Sequence, residues 1–334
     1  MKIRALIVGL AALGFAAAVS AADPIVIKFS HVVATDTPKG KGAEKFKELA
    51  EKYTKGAVKV EVYANSTLYK DKEEMEALQL GAVQMVAPSL AKFGPLGVRT
   101  FEVFDLPYIF DNAAELHKVT TGPVGKKLFD SLEPKGIKGL AYWDNGFKVF
   151  SANTPLHKVE DYKGLKMRIQ SSKVLDEQMR ALKALPQVMA FSEVYQALQT
   201  GVVDGTENPP SNLYTQKMYE VQKHVTLSDH GYLGYAVITN KKFWDGLPGD
   251  VRGELEKAMA EATEYANSIA KDENVKAMAA VKASGKTEVY TLTPEERKEL
   301  KKALYPVHAK MASRIGKETI DAVYQATGFD PNKM

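Results

Sequence analysis

The sequence predicts an α/β protein of two similar lobes with a ligand cleft between them, and three observations lead there. The chain has 334 residues, about twice the length of a typical domain. Its first 90 residues, once an N-terminal leader is set aside, alternate strand and helix patterns. A segment that reads helix, glycine, strand then recurs. Ala77-Leu78-Gln79-Leu80-Gly81-Ala82-Val83 returns as Ala197-Leu198-Gln199-Thr200-Gly201-Val202-Val203, offset by 120 residues.

The leader comes first. Lys2 and Arg4 precede an apolar run from Ala5 to Val19 and then Ser20-Ala21-Ala22-Asp23-Pro24, the basic, hydrophobic and small-residue regions of a secretory signal. The run is short of the roughly 20 residues that a spanning helix needs. The expectation is a signal peptide over residues 1–21, cleaved after Ala21 or Ala22, and, for a Gram-negative host, a periplasmic protein.

Residues 25–31 then read as a short apolar strand, and Asp36-Thr37-Pro38 opens a helix carried by Phe46, Leu49 and Ala50. Residues 58–63 alternate as a strand, 71–80 are helical and 82–87 form an apolar strand, completing a β-α-β-α-β start. Further strands are expected at 139–144, 148–151, 166–170, 202–207 and 235–240. Beyond Asn240 the pattern turns helical, with nearly continuous helix formers over 247–276, one strand at 287–291 and helices to the end. In the two echo segments the helix runs into Gly81 or Gly201, each able to take a left-handed C-cap, and a strand follows at once. The strand ends Ala87-Pro88-Ser89 and Glu207-Asn208-Pro209 are then equivalent. Ligands in open α/β sheets sit beyond the carboxyl ends of strands, so the cleft belongs between these two.

Composition removes several functions. Lys and Arg number 45 against 41 Asp and Glu, a net +4 spread without a basic block, which argues against nucleic acid as a partner. The absence of cysteine excludes disulfides, thiolate catalysis and Cys-ligated metals. The histidines at 31, 117, 157, 224, 230 and 308 show no two-His helical ligand spacing, so no metal is expected. There is no GxSxG elbow, no GxGxxG after a strand and no P-loop, so no cofactor is expected and hydrolase, dehydrogenase and NTPase readings weaken. Glu73 and Glu74 read as a solvated helix surface rather than an acid/base pair.

Binding candidates are clearer. Alternation over 164–170 puts Leu165, Met167 and Ile169 on one face and Lys166, Arg168 and Gln170 on the other. A guanidinium at a strand end presents a planar fork to two carboxylate oxygens; the alternative is a solvated or ion-paired arginine. Asn208, before Pro209-Pro210, leaves an amide at a strand tip that either donates to an anion or caps its own turn. Trp143-Asp144-Asn145-Gly146-Phe147-Lys148 reads as a polar turn where the chain crosses between lobes, with Lys148 as a second positive charge or a surface lysine at a hinge. Phe191, Tyr232 and Tyr235 are candidate pocket walls.

Five segments together resemble one family. They are Phe104-Asp-Leu-Pro-Tyr-Ile-Phe110, Trp143 to Lys148, Gly164 to Gln170, Phe191-Ser-Glu-Val-Tyr-Gln-Ala-Leu-Gln-Thr200 and Val203-Asp-Gly-Thr-Glu-Asn-Pro209. In order and spacing they are similar to the periplasmic solute receptors of TRAP transporters, most closely the C4-dicarboxylate-binding DctP type. The resemblance implies a periplasmic-binding-protein-like fold with a long helix spanning both lobes. It implies lobe I from 22–145 plus 234–273 and lobe II from 146–233 plus 274–334. It also implies a carboxylate salt bridge from Arg168, a hydrogen bond from Asn208 and packing of Phe191 over the ligand. Lys148 falls where sialic-acid-binding relatives carry an arginine, and Pro88 where they carry an acid. Ser89, Gln170, Tyr235 and the 33–36 loop with Asp36 complete the candidate pocket.

The function so implied is a receptor and not an enzyme. It captures succinate, malate or fumarate, closes over it, and delivers it to small and large membrane subunits. A monomer is the default for a receptor that must open and close. Rival readings are a receptor for another organic acid, such as an aromatic carboxylate or 2-oxo acid, a periplasmic carboxylate-processing enzyme, and a sensor for a membrane kinase.

Overall fold

The computed structural model describes residues 23–331, so the leader and its expected cleavage site lie outside the described residues. Strand β1 (Ile25–Ser30) leads to helix α1 (Pro38–Tyr53), which starts where Thr37 Oγ1 accepts the N–H of Gly40 at 3.1 Å with Pro38 in the first turn. Strand β2 (Val58–Tyr63), helix α2 (Glu74–Gln79) and strand β3 (Met85–Val86) complete the expected start. Helices α3 (Ala113–Thr120) and α4 (Pro123–Asp130) precede the long strand β4 (Ile137–Phe147).

The chain then crosses into the second lobe. There it forms β5 (Val149–Ala152), β6 (Lys166–Ile169), α5 (Lys173–Ala181), β7 (Leu185–Val188), α6 (Val194–Gln199), β8 (Gly205–Asn208), α7 (Pro210–Thr215) and β9 (His224–Leu227). It returns through β10 (Tyr232–Asn240) and α8 (Lys241–Asp245) to the 35-residue helix α9 (Gly249–Ala283). Strand β11 (Glu288–Thr291) and helices α10 (Pro294–Leu304), α11 (Pro306–Ile315) and α12 (Lys317–Thr327) end the fold.

Each lobe is built on one sheet. The first is five-stranded in the order β2-β1-β3-β10-β4, and the second six-stranded in the order β11-β9-β5-β8-β6-β7. The two-lobed α/β class follows, with β1, β2 and β3 parallel and β10 antiparallel to both β3 and β4. Helix α9 spans both lobes. Its Leu255, Ala258, Met259, Ala262 and Ala266 join the first lobe's core around Trp143, while Met278 and Val281 join the second lobe's core around Val194 and Leu213. Small residues let it lie close: a Cβ on Gly42 of α1 would sit 2.9 Å from that of Ala266.

Several elements depart from the sequence expectation. The strands expected at 82–87 and 202–207 shorten to β3 and β8, because three residues after each glycine are spent on closing a turn. Gly81 and Gly201 take φ of 78° and 71°, and Ala82 N–H and Val203 N–H reach back to the carbonyls of Ala77 and Ala197 at 2.9 and 3.3 Å. The segment 143–148 is no turn: Trp143 to Phe147 continue β4, so the lobes are joined by extended chain. Strands β7 and β9 were not foreseen. The C-terminal helices divide: Leu300 and Leu304 of α10 pack in the second lobe, but Val307, Met311, Ile315, Ile320 and Val323 of α11 and α12 join the first lobe's core with Phe104, Leu116 and Val119. That departs from an assignment of all of 274–334 to lobe II. The reason is an anchor within the first lobe, with His308 Nε2 2.7 Å from the Pro107 carbonyl and Nδ1 2.6 Å from Tyr324 Oη.

Candidate functional site

The two echo strands end at the same cleft. Ser89, just past β3, and Asn208, the last residue of β8, both line a narrow cleft. Arg168, Gln170, Phe191 and Tyr235 line it too, with Val32, Val33, Asp71, Glu74, Lys92, Asn212 and Leu233. Larger depressions of about 1090 and 1430 Å³ lie along α9. Neither is lined by Arg168, Lys92 or Asn208.

Arg168 is placed by alternation. Met167 and Ile169 are fully buried in the second lobe's core, which turns Arg168 to the cleft face of β6, where it is 2% exposed. Its Nε and Nη2 donate to the Met189 carbonyl at 3.1 and 2.8 Å, which fixes the guanidinium plane. The guanidinium carbon is 5.7 Å from the centre of the Phe191 ring.

Opposite stands a charged group from the first lobe that the sequence did not single out. Lys92 Nζ is 2.5 Å from Asp71 Oδ2, and the same oxygen is 3.9 Å from Arg168 Nη2. Asp71 Oδ1 accepts the Phe191 N–H at 2.9 Å, so one carboxylate ties the lobes together. Burial works against ionising Asp71, but Lys92 and Arg168 outweigh it and hold its carboxyl below the usual range. A second bond between lobes runs from Gln170 Nε2 to Ser89 Oγ at 2.6 Å.

Glu74 overturns the solvated reading. Its neighbour Glu73 is exposed, but Glu74 is 1% exposed and neither carboxylate oxygen has a hydrogen-bond partner. Burial pushes its carboxyl up to about 7 against the pull of Lys39 and Lys92. Burial likewise pushes the Lys39 ammonium down to about 7, although Glu74 and Asp71 favour its charge. That ammonium donates to the Ala87 carbonyl at 2.9 Å and sits 3.7 Å from the Tyr235 ring centre.

Asn208 is lightly engaged: its amide donates to Thr206 Oγ1 at 3.4 Å and approaches Met218 Sδ at 3.8 Å. Tyr235 is fixed by Asn145, whose Nδ2 donates to the phenol oxygen at 2.7 Å and to Asn212 Oδ1 at 3.0 Å.

Two expected contacts lie elsewhere. Lys148 is 1% exposed, is absent from the cleft lining, and pairs with Glu207 at 2.7 Å. Glu207 also meets His230 Nε2 at 2.7 Å; burial opposes its ionisation, but Lys148 and His230 hold it down at about 2. Lys148 thus anchors β5 beneath the site, on the residue next to Asn208. Asp36 is exposed and borders a separate groove with Lys41 and Glu273; its loop neighbours Val32 and Val33 are the ones at the cleft. Lys92 and Asp71 had one usable signal, since Lys92 follows Ser89 at a strand end where the echo already places a ligand.

The arrangement is one for holding an anion. No group of three or more His, Cys, Asp or Glu suited to a metal ion occurs among the described residues. Residues 29–315 match the DctP family, described as bacterial extracellular solute-binding protein, family 7. The chain belongs to this family. DctP-family proteins are receptors that serve TRAP membrane subunits and are not enzymes. The chain is 71% identical over 98% of its length, and of the other's, to the C4-dicarboxylate-binding periplasmic protein DctP of Rhodobacter capsulatus. A TRAP periplasmic solute-binding protein from Shewanella oneidensis with bound succinate matches with TM-score 0.89 and 43% identity, covering 91% of this chain and 99% of that one. One from Pseudomonas aeruginosa with bound L-malate matches with TM-score 0.84 and 45% identity, covering 86% and 100%.

Proposed function

We propose that this chain is a periplasmic, monomeric receptor that captures C4-dicarboxylates such as succinate and L-malate and delivers them to TRAP membrane subunits. The observation that carries the reading is the meeting of Arg168 from one lobe and Lys92 from the other in a small, closed cleft. A C4-dicarboxylate carries a carboxylate at each end of a two-carbon span, so two cations, one from each lobe and both beside Asp71, match its two charges. Arg168 takes one carboxylate, and Lys92 takes the other, the role that the sequence assigned to Lys148. Asn208, Ser89 and Gln170 supply hydrogen bonds, and Phe191, Leu233 and Tyr235 wall the short carbon chain. Charge-assisted bonds gain strength in a closed cleft where water is excluded. Both lobes supply contacts, so the ligand favours closure through its higher affinity for the closed state. The ligands of the relatives support the same class.

A thermal-shift panel tests the reading on mature protein refolded to strip carried-over ligand. Succinate, L-malate and fumarate at about a thousandfold excess over Kd stabilise by about 4 kcal/mol and raise Tm by several degrees. Butyrate and benzoate leave it unmoved. A larger shift from an aromatic or sugar acid than from any C4-dicarboxylate contradicts the reading.

A further inference from the structure

Glu74 has no role in the anion-holding scheme, yet it lines the same cavity, buried, with both carboxylate oxygens unpartnered. A buried carboxylate without a donor is costly unless something arrives to share it or it is neutral. The charges that face it are known from every side. Lys39 comes from α1, Lys92 from the turn after β3, and Asp71 from the loop ahead of α2. Arg168 of β6 acts on it through Asp71, while Tyr235 of β10 feels its charge. His31, after β1, is held neutral by burial and by Lys39.

With every Lys, Arg, Asp and Glu of this group ionised, three cations face two carboxylates. A dianionic ligand then leaves a net negative charge sealed from water, which low dielectric penalises. We infer that Glu74 takes up a proton from solvent as the dianion enters, and that the resulting acid O–H donates a hydrogen bond to the ligand. Proton uptake by Glu74 thereby accommodates the ligand's second negative charge, and this inference rests on the C4-dicarboxylate reading above. The position of its carboxyl in the unliganded protein, near 7, puts the exchange within the physiological range.

The experiment is calorimetry with fumarate, both of whose carboxyls are ionised above about pH 6, in phosphate and in Tris, whose ionisation heats differ. At pH 7.5 wild-type protein takes up between about half and one proton per fumarate bound. Its affinity falls by up to about tenfold per pH unit between pH 7.5 and 8.5. Glu74→Gln, neutral at every pH, loses the uptake and the pH slope and binds more tightly than wild type at pH 8.5. Uptake that persists in Glu74→Gln assigns the proton to Lys39 and overturns the inference. Wild-type binding with equal heat in the two buffers and no pH slope overturns it without any variant. No fumarate heat in folded wild-type protein removes the receptor reading itself, and the inference with it, an outcome distinct from binding without uptake.

Discussion

At the scale of single residues, function turns on which charges end in the cleft and which beneath it. Lys92 and Lys148 are both buried lysines paired to a carboxylate, at 2.5 and 2.7 Å, and only Lys92 lines the cavity. Lys92→Ala should therefore cost a dicarboxylate about 2 kcal/mol or more, and a monocarboxylate far less, in parallel titrations. Equal losses for both ligands would remove Lys92 from the second carboxylate. Arg168 was legible because alternation against Met167 and Ile169 needs only local sequence. Asp71, Glu74 and Lys92 were not. Lys70-Asp71-Lys72-Glu73-Glu74 has the composition of a solvated surface, and only the approach of the second lobe buries part of it. Nothing local marks which of two adjacent glutamates turns inward.

At the scale of elements, the site rests on a buried ion cluster that pins β5 to β8. Glu207 Oε1 meets Lys148 at 2.7 Å, and Oε2 meets His230 at 2.7 Å and Gln178 at 3.2 Å. Removing one partner of such a pair leaves a buried charge uncompensated, so Lys148→Ala should lower stability by about 3 kcal/mol in urea unfolding. A variant as stable as wild type but unable to bind would return Lys148 to the ligand. The sequence made Lys148 a crossing residue correctly but a polar turn wrongly. Phe147 and Tyr232 pair across β4 and β10, and that long-range partnership converts five turn-like residues, Trp143 to Phe147, into strand. The echo around Gly81 and Gly201 was readable because a left-handed cap is a local requirement. The short strands β7 and β9 were not, since their pairing is decided across the sheet.

At the scale of the whole molecule, long-range burial also sets the response to acid. Burial, with Lys39, pushes the His31 imidazole down to about 3; burial pushes His308 down to about 4 and His230 below its ordinary value. An unfolded histidine titrates near 6.5, so between about pH 6.5 and 4 the unfolded chain binds more protons than the folded one. Stability is thus full above about pH 6.5 and falls on acidification. Glu74, held protonated to about 7, offsets part of this in the same window, because its contribution grows as pH falls toward about 4.3. Asp105, its carboxyl likewise pushed up to about 7 by burial, acts in the same direction as Glu74. Three histidines are thus set against two carboxylates, and Tm of the unliganded protein should decline only gently from pH 7 to 4.5. His308→Gln should flatten that decline; an unchanged slope would show that His308 does not hold α11 and α12 to the Pro107 carbonyl as a neutral ring.

Those helices, and α9 beneath both cores, make the two lobes one cooperative body whose closure brings Arg168 and Lys92 together. The most direct test of that account is a calorimetric titration of refolded mature protein and of Arg168→Ala with succinate. Wild-type protein should bind one succinate with roughly micromolar affinity, about −8 kcal/mol. Arg168→Ala, folded by circular dichroism, should lose at least about a hundredfold. Equal affinity in the two proteins would contradict the account.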